Sequence, residues 1–154
     1  MVIVKLDAPA ALAGYVGKEI GVTEWVQVTQ AEINQFADAT GDHQWIHVDV
    51  ERARKESPFK GPIAHGYFTL SKLPELISKV LAVGGCKLTI NYGLNKVRFP
   101  APVPVGKKIR AKVGVKSVKD IGQGNQEVEF TVTVEVEGSE KPACVAEVVY
   151  RYYV

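Results

Sequence analysis

The sequence is poor in sulfur, with two cysteines, Cys86 and Cys144, and one methionine in 154 residues. Two thiols cannot build a disulfide framework or a four-thiolate zinc site. Both therefore read as small apolar residues of a chain kept in a reducing compartment. No stretch approaches the ~20 consecutive apolar residues of a membrane helix, which excludes a helical span. Residues 1–7 carry no basic leader, and the alanine-rich segment 8–13 is short and follows an acid. A secretory signal is not expected, and the cytoplasm is the expected location. Charge of one sign is missing too. The 19 basic and 17 acidic residues leave +2, no global attraction for nucleic acid.

What is present is ordinary globular material, 46% hydrophobic and 23% charged, of a length that suits one domain over 1–154. Charge is unevenly placed. Residues 87–119 carry lysine and arginine without an acid, and 120–147 are acidic apart from Lys141. A basic strand beside an acidic one explains most of this. A cationic rim for an anionic ligand is the other reading.

The front of the chain reads as helix and the back as strand, an α+β arrangement. Thr29-Gln30-Ala31-Glu32 has capping-box spacing, and Ile33, Phe36 and Ala37 share a face, so a helix is expected over about 30–39, ending before Gly41. A short helix is expected over 49–56. A longer one should cover about 64–83, kinked or offset by Pro74, which lacks an N–H, and ended by Gly84-Gly85. From Cys86 the period becomes two. Strands are expected over 86–99, around 108–116, over 126–137 and over 143–153, with a short one near 24–28 and hairpin chemistry at 120–125. A helix wrapped by a curved antiparallel sheet leaves edges open, and self-association is the usual cover, so a dimer is expected. Tyr150, Tyr152 and Tyr153 serve either that interface or the core.

All three histidines fall between positions 43 and 65. Asp42 and His47 lie just past a helix end. On a regular helix they would sit about 140° apart, but in a loop they can converge. A carboxylate and an imidazole sharing a water make a workable acid–base pair. The plainer alternative is an Asp42 cap and a His47 packed in a polar crevice. His43 and His47 are i, i+4 and with Asp42 or His65 could ligate a metal, but Gln44 stands where the zinc-protease motif needs glutamate, and no metal is expected. Gly66 opens a helix, where unpaired N–H groups and a missing side chain let a carbonyl approach; a plain helix start with His65 as a polar cap is the alternative. There is no nucleophile elbow, phosphate loop or dinucleotide fingerprint.

Three ordered blocks carry a resemblance. Phe36 to His47, with Gly41-Asp42-His43-Gln44-Trp45-Ile46-His47 and then Ala53, resembles an aromatic residue followed by Gly-Asp-x-Asn-Pro-Ile/Leu-His and a later alanine. Gly61-Pro62-Ile63-Ala64-His65-Gly66 is similar to Pro-Ile-x-His-Gly, and residues 91–106 complete the set. Together they resemble the MaoC-like, (R)-specific enoyl-CoA hydratases (hydratase 2 enzymes) of the hotdog fold. The similarity lies in the nodulation-protein-N-like branch, which includes mycobacterial single-domain 3-hydroxyacyl-thioester dehydratases. The resemblance implies that Asp42 and His47 are the catalytic pair, that the Gly66 N–H polarises the thioester carbonyl, and that Gln44 and His65 contact substrate. It implies an acyl-CoA or acyl-carrier-protein thioester as substrate and no cofactor. Gln44 replaces the usual asparagine and Trp45 the usual proline, and Trp45 is expected to narrow or redirect the acyl channel. Pro74 stands where some members have serine. A hotdog thioesterase and a silent thioester-binding subunit are the rival expectations.

Overall fold

The computed structural model describes residues 3–154. Its frame is an antiparallel sheet whose strand order is β2-β6-β7-β8-β5. The members are β2 (Glu19–Val22), β5 (Leu88–Arg98), β6 (Lys108–Asp120), β7 (Gln126–Val136) and β8 (Cys144–Tyr153), and β3 (Val26–Gln27) pairs with β6 beyond β2. Strict alternation built the middle strands. Val128, Phe130, Val132, Val134 and Val136 of β7 are buried, each 0–3% exposed. The intervening Glu127, Glu129 and Glu135 face outward.

The basic stretch lies on the acidic one. Arg110 stands directly opposite Glu135 in the β6–β7 register, with Nε to Oε2 at 2.6 Å, and Lys112 reaches the same carboxylate at 2.9 Å. Arg151 of β8 pairs with Glu127 at 2.8 Å and Lys116 with Glu147 at 3.0 Å. These cross-strand pairs, half-exposed and screened by solvent, are individually weak. They fix register more than they supply stability.

The helical layer differs from the expected single long helix. It is two short ones, α4 (Gly66–Ser71) and α5 (Leu73–Ser78), broken at Lys72. Pro74, second in α5, cannot donate to the carbonyl four residues back, and its ring crowds that turn. The helix also stops before Val83. Residues Leu81–Val83 form β4, parallel to β1 (Val4–Leu6), with Val4 opposite Leu81. The other expected helices formed as α1 (Gln30–Thr40) and α3 (Val50–Glu56), with α2 (Trp45–Val48) between them. A 3-10 turn over Pro9–Tyr15, unforeseen in the sequence, drives Leu12 into the core at 0% exposure.

The core lies between α4–α5 and the concave face of the sheet. Phe68, Leu73, Leu76, Ile77 and Val80 pack against it, with Leu76 and Val80 fully buried. Tyr150 and Tyr152, 7% and 4% exposed, fill this core from β8. Burial pushes the Tyr150 phenol up to about 12.

Strand β5 is the outer edge, and its register against β8 shifts twice, between Asn91 and Gly93 and between Leu94 and Lys96. Each shift is a bulge that moves one residue across the pleat. Thr89, Asn91 and Leu94 therefore line the groove beside the helices, while Leu88, Ile90 and Tyr92 are 44–56% exposed. Leu76→Ala should destabilise the protein by about 2–5 kcal/mol through the cavity it leaves. The exposed Leu88→Ala should cost much less, and chemical denaturation of both variants checks the contrast.

Candidate active site

Each element at the catalytic end is placed by local rules. Helix α1 begins with the expected capping box: the Thr29 hydroxyl accepts from the Glu32 N–H at 3.3 Å and the Glu32 carboxylate accepts from the Thr29 N–H at 3.0 Å. It ends at Gly41, left-handed with φ +79°, whose N–H returns to the Ala37 carbonyl. That conformation favours glycine and turns the chain so that Asp42 leaves the helix axis. One residue run later, α2 makes a single turn carrying His47. Asp49 then caps α3 by accepting from the Arg52 N–H at 3.0 Å. A turn leads to Ile63, bridged to Pro104, and Ala64 bonds the Val103 carbonyl at 2.9 Å. Gly66 then starts α4.

His47 is 6% exposed. Its Nδ1 lies 2.7 Å from the Ile63 carbonyl. A carbonyl can only accept, so Nδ1 carries the hydrogen and the neutral ring keeps its lone pair on Nε2. Return contacts hold the segment: Ile63 N–H donates to the Ile46 carbonyl at 3.0 Å, and Gln30 Nε2 donates to the His47 carbonyl at 2.8 Å. Burial lowers the His47 pKa; the Ile63 bond opposes this, His65 adds to it, and Asp42 opposes it. The ring is therefore neutral, and able to accept a proton, at neutral pH.

Asp42, His47 and His65 converge, with one ligand-type atom of each within 4.8 Å of the others. A water accepting and donating bonds of about 2.8 Å spans roughly 4.5 Å between its two partners. The Asp42 carboxylate and a His47 ring nitrogen are thus close enough to share one water. The same three atoms could in principle meet a cation. However, the His47 and His65 rings stack, with centroids 3.8 Å apart and planes at 25°. Imidazole lone pairs lie in the ring plane, so stacked rings direct them side by side instead of toward one ion.

His47 opens onto a cavity of about 340 Å³ lined also by Phe59, Ile63, Gly66, Thr69 and Phe99. Gly66 is tightly bounded: a Cβ there would sit 3.0 Å from the Phe99 ring. Its N–H is the first of α4 and has no partner within the helix. The cavity thus joins an imidazole nitrogen, a helix-start amide and an apolar wall.

The other expected residues lie differently. His43 is exposed and bonds Asp38 at 2.9 Å, which raises its pKa. It does not join His47, so the i, i+4 pair is not a ligand pair. Gln44 is exposed at the start of α2, and its backbone N–H donates to Asp42 Oδ1 at 3.3 Å. His65 is 3% exposed behind His47 and bonds the Asp42 carbonyl. Trp45 lies under the Arg52 guanidinium at 4.2 Å and does not line the cavity, so it does not narrow a channel there. Phe59 carried no signal in the sequence and Phe99 stood there only as part of the 91–106 block, because each enters the cavity wall through tertiary folding.

Residues 12–138 match the family described as the MaoC like domain. The chain belongs to the MaoC-like dehydratase family. Within that family it is 56% identical over 146 residues to 3-hydroxyacyl-thioester dehydratase Z of Mycobacterium tuberculosis, covering 95% of this chain and 96% of the relative. It is 42% identical over 132 residues to nodulation protein N of Rhizobium leguminosarum bv. viciae, covering 85% and 82%. The solved (R)-hydratase from A. caviae aligns with a TM-score of 0.70 at 24% identity, over 88% of this chain and 94% of that one. The architecture is the MaoC-like hotdog, as the sequence blocks implied. Among the described residues no helix is long and apolar enough to cross a membrane.

The opposite environments of two histidines are directly measurable. His43, raised by Asp38, should titrate at higher pH than His47, lowered by burial. Side-chain NMR across pH 5 to 8 should also show the His47 hydrogen on Nδ1 while the ring is neutral.

Proposed function

We propose that this MaoC-like protein catalyses the reversible addition of water to a trans-2-enoyl thioester, giving the (R)-3-hydroxyacyl thioester. The single observation that carries the reading is the approach of the Asp42 carboxylate to within 4.8 Å of a His47 ring nitrogen, with His47 itself lining a cavity that also holds Gly66. The reading is supported by the 56% identity to a 3-hydroxyacyl-thioester dehydratase.

The thioester carbonyl accepts from the Gly66 N–H, which draws electron density from C3 and stabilises the enolate-like charge that follows. Water held by Asp42 and His47 gives its oxygen to C3, and the proton it loses passes to the pair. The same pair delivers a proton to C2, so the product gains one hydroxyl and one hydrogen. Dehydration is the reverse. The step is redox-neutral and the amide supplies the polarisation, so neither a metal nor a redox cofactor takes part. The carrier is CoA or an acyl-carrier protein. Two free thiols, Cys86 and Cys144, support a reducing compartment, the cytoplasm. Burial raises the Cys144 thiol to about 11, which leaves it inert.

Asp42→Asn and His47→Gln should each lower turnover of crotonyl-CoA by about 100- to 10,000-fold, with circular dichroism unchanged. Near-normal hydration by either variant overturns the assignment. Release of free thiol from saturated acyl-CoA at comparable rates would instead make the protein a thioesterase. Tight binding without turnover would make it a binding subunit.

The protein works as a homodimer in this proposal. Edge strand β5 offers an open row of backbone donors and acceptors beside the apolar Leu88, Ile90 and Tyr92, a combination that sheet proteins otherwise blunt with charge or proline. Pairing with a second copy about a two-fold axis covers both. Ile90→Lys should shift the protein toward monomer in sedimentation velocity. Unchanged sedimentation would rule out this edge.

A further inference from the structure

His65 reaches both members of the proposed pair without reaching the cavity. It is 3% exposed and lies outside the cavity lining. Its Nε2 lies 2.9 Å from the Asp42 carbonyl, and because that carbonyl only accepts, Nε2 carries the hydrogen. In the neutral ring Nδ1 is then a bare acceptor, and this atom is buried with no partner. One ring face stacks on His47 at 3.8 Å, and Phe36 packs against the ring at 5.0 Å, tilted by 58°.

A phenyl ring would fill this slot between Phe36 and His47 without burying an unpaired nitrogen, which carries a desolvation cost. Packing alone therefore does not account for an imidazole here. What imidazole adds is the Nε2–H on the Asp42 main chain. Asp42 needs such a hold. It is exposed, follows the left-handed turn at Gly41, and its other hydrogen bonds are long: Asp42 N–H to Thr40 Oγ1 at 3.4 Å and Gln44 N–H to Asp42 Oδ1 at 3.3 Å.

We propose that His65 is the positioning residue of the hydration site: its N–H fixes the Asp42 main chain while its ring face fixes the plane of His47, and together these set the one-water gap. The proposal rests on the reading of Asp42 and His47 given above, and gives His65 a role behind the pair in place of substrate contact. Proximity of this kind is worth a great deal, since a misplacement of about 1 Å costs on the order of 100-fold in rate.

The surroundings of His47 give a readout that a filler side chain would not move. Two titratable groups act on it, Asp42 from the loop, favouring the charged ring, and His65 from the α4 start, disfavouring it. The Ile63 carbonyl favours the charged ring and burial opposes it. Removing His65 takes away one of the influences that keep His47 neutral, so its titration moves to higher pH.

Two variants divide the contacts. His65→Phe keeps a flat ring against His47 and loses the donor to Asp42. His65→Gln keeps an N–H near the Nε2 position and loses the ring. With crotonyl-CoA, His65→Phe should lower kcat by about 10- to 100-fold with KM held within about twofold, and His65→Gln should lose less. In both, the acid limb of the kcat profile and the His47 imidazole resonances should move to higher pH. Unchanged kcat in a folded His65→Phe protein overturns the proposal. So does a raised KM at unchanged kcat, which would place His65 on the substrate, or a His47 titration that does not move in either variant. If His65→Phe does not fold, His65→Gln carries the pH-limb and NMR readouts. The NMR titration needs no turnover. An inactive wild-type protein would therefore count against the hydratase reading, while a His47 titration independent of position 65 would count against the positioning role.

Discussion

The catalytic end of this molecule depends on the bond from His47 Nδ1 to the Ile63 carbonyl at 2.7 Å. It joins two segments distant in the chain, the single turn of α2 and the extended approach to α4. It also settles the imidazole chemistry, since a hydrogen committed to the carbonyl leaves Nε2 as the open lone pair. The bond is buried, and there a hydrogen bond is stronger and its loss costs more. Ile63 is itself tied to Ile46 and Pro104, so the ring is held to both α2 and the segment that leads into β6. Without that bond the His47 ring would be held only by its stack on His65.

Much of this was legible because it is local. The capping box at Thr29 and Glu32, the stop at Gly41 and the alternation of Val128 to Val136 are short-range patterns, and each produced the element it encodes. The opposed charges of 87–119 and 120–147 likewise anticipated Arg110 against Glu135. Where pairing partners were far apart, the pattern misled. Residues 81–83 continue the apolar spacing of the preceding helix, and only the presence of Val4 to Leu6 alongside turns them into strand. Pro74 marked the disturbance, which falls at Lys72: that residue keeps right-handed helical geometry, so α4 and α5 are offset across a single position. The site divides in the same way. Asp42, His47 and Gly66 stood out by type and spacing, whereas Phe99 over Gly66 and the stack of Phe36, His65 and His47 exist only once helices and sheet are assembled.

Charge and apolarity are kept on opposite faces of one sheet, which lets the two do different work. The outward ladder of arginine, lysine and glutamate is half-wet and individually weak, and it specifies which residue faces which. The concave face supplies the stability, through Phe130, Leu76, Val80 and their neighbours. The cavity beside His47 lies at the end of that dry layer, against an apolar wall, where the electrostatic pull of one amide or one carboxylate is much larger than in water.

The two bulges of β5 cancel. Between them the strand runs out of phase, which is how Leu94 comes to face the groove, and after the second the original parity returns, so that Val97 packs on the core and Phe99 closes over Gly66. The strand therefore keeps count. Its side chains can be exchanged one at a time, but its length cannot change by a single residue on either side of Leu94 without turning Phe99 outward and uncovering the glycine. The number of residues along this edge is thus as much a constraint as their chemistry.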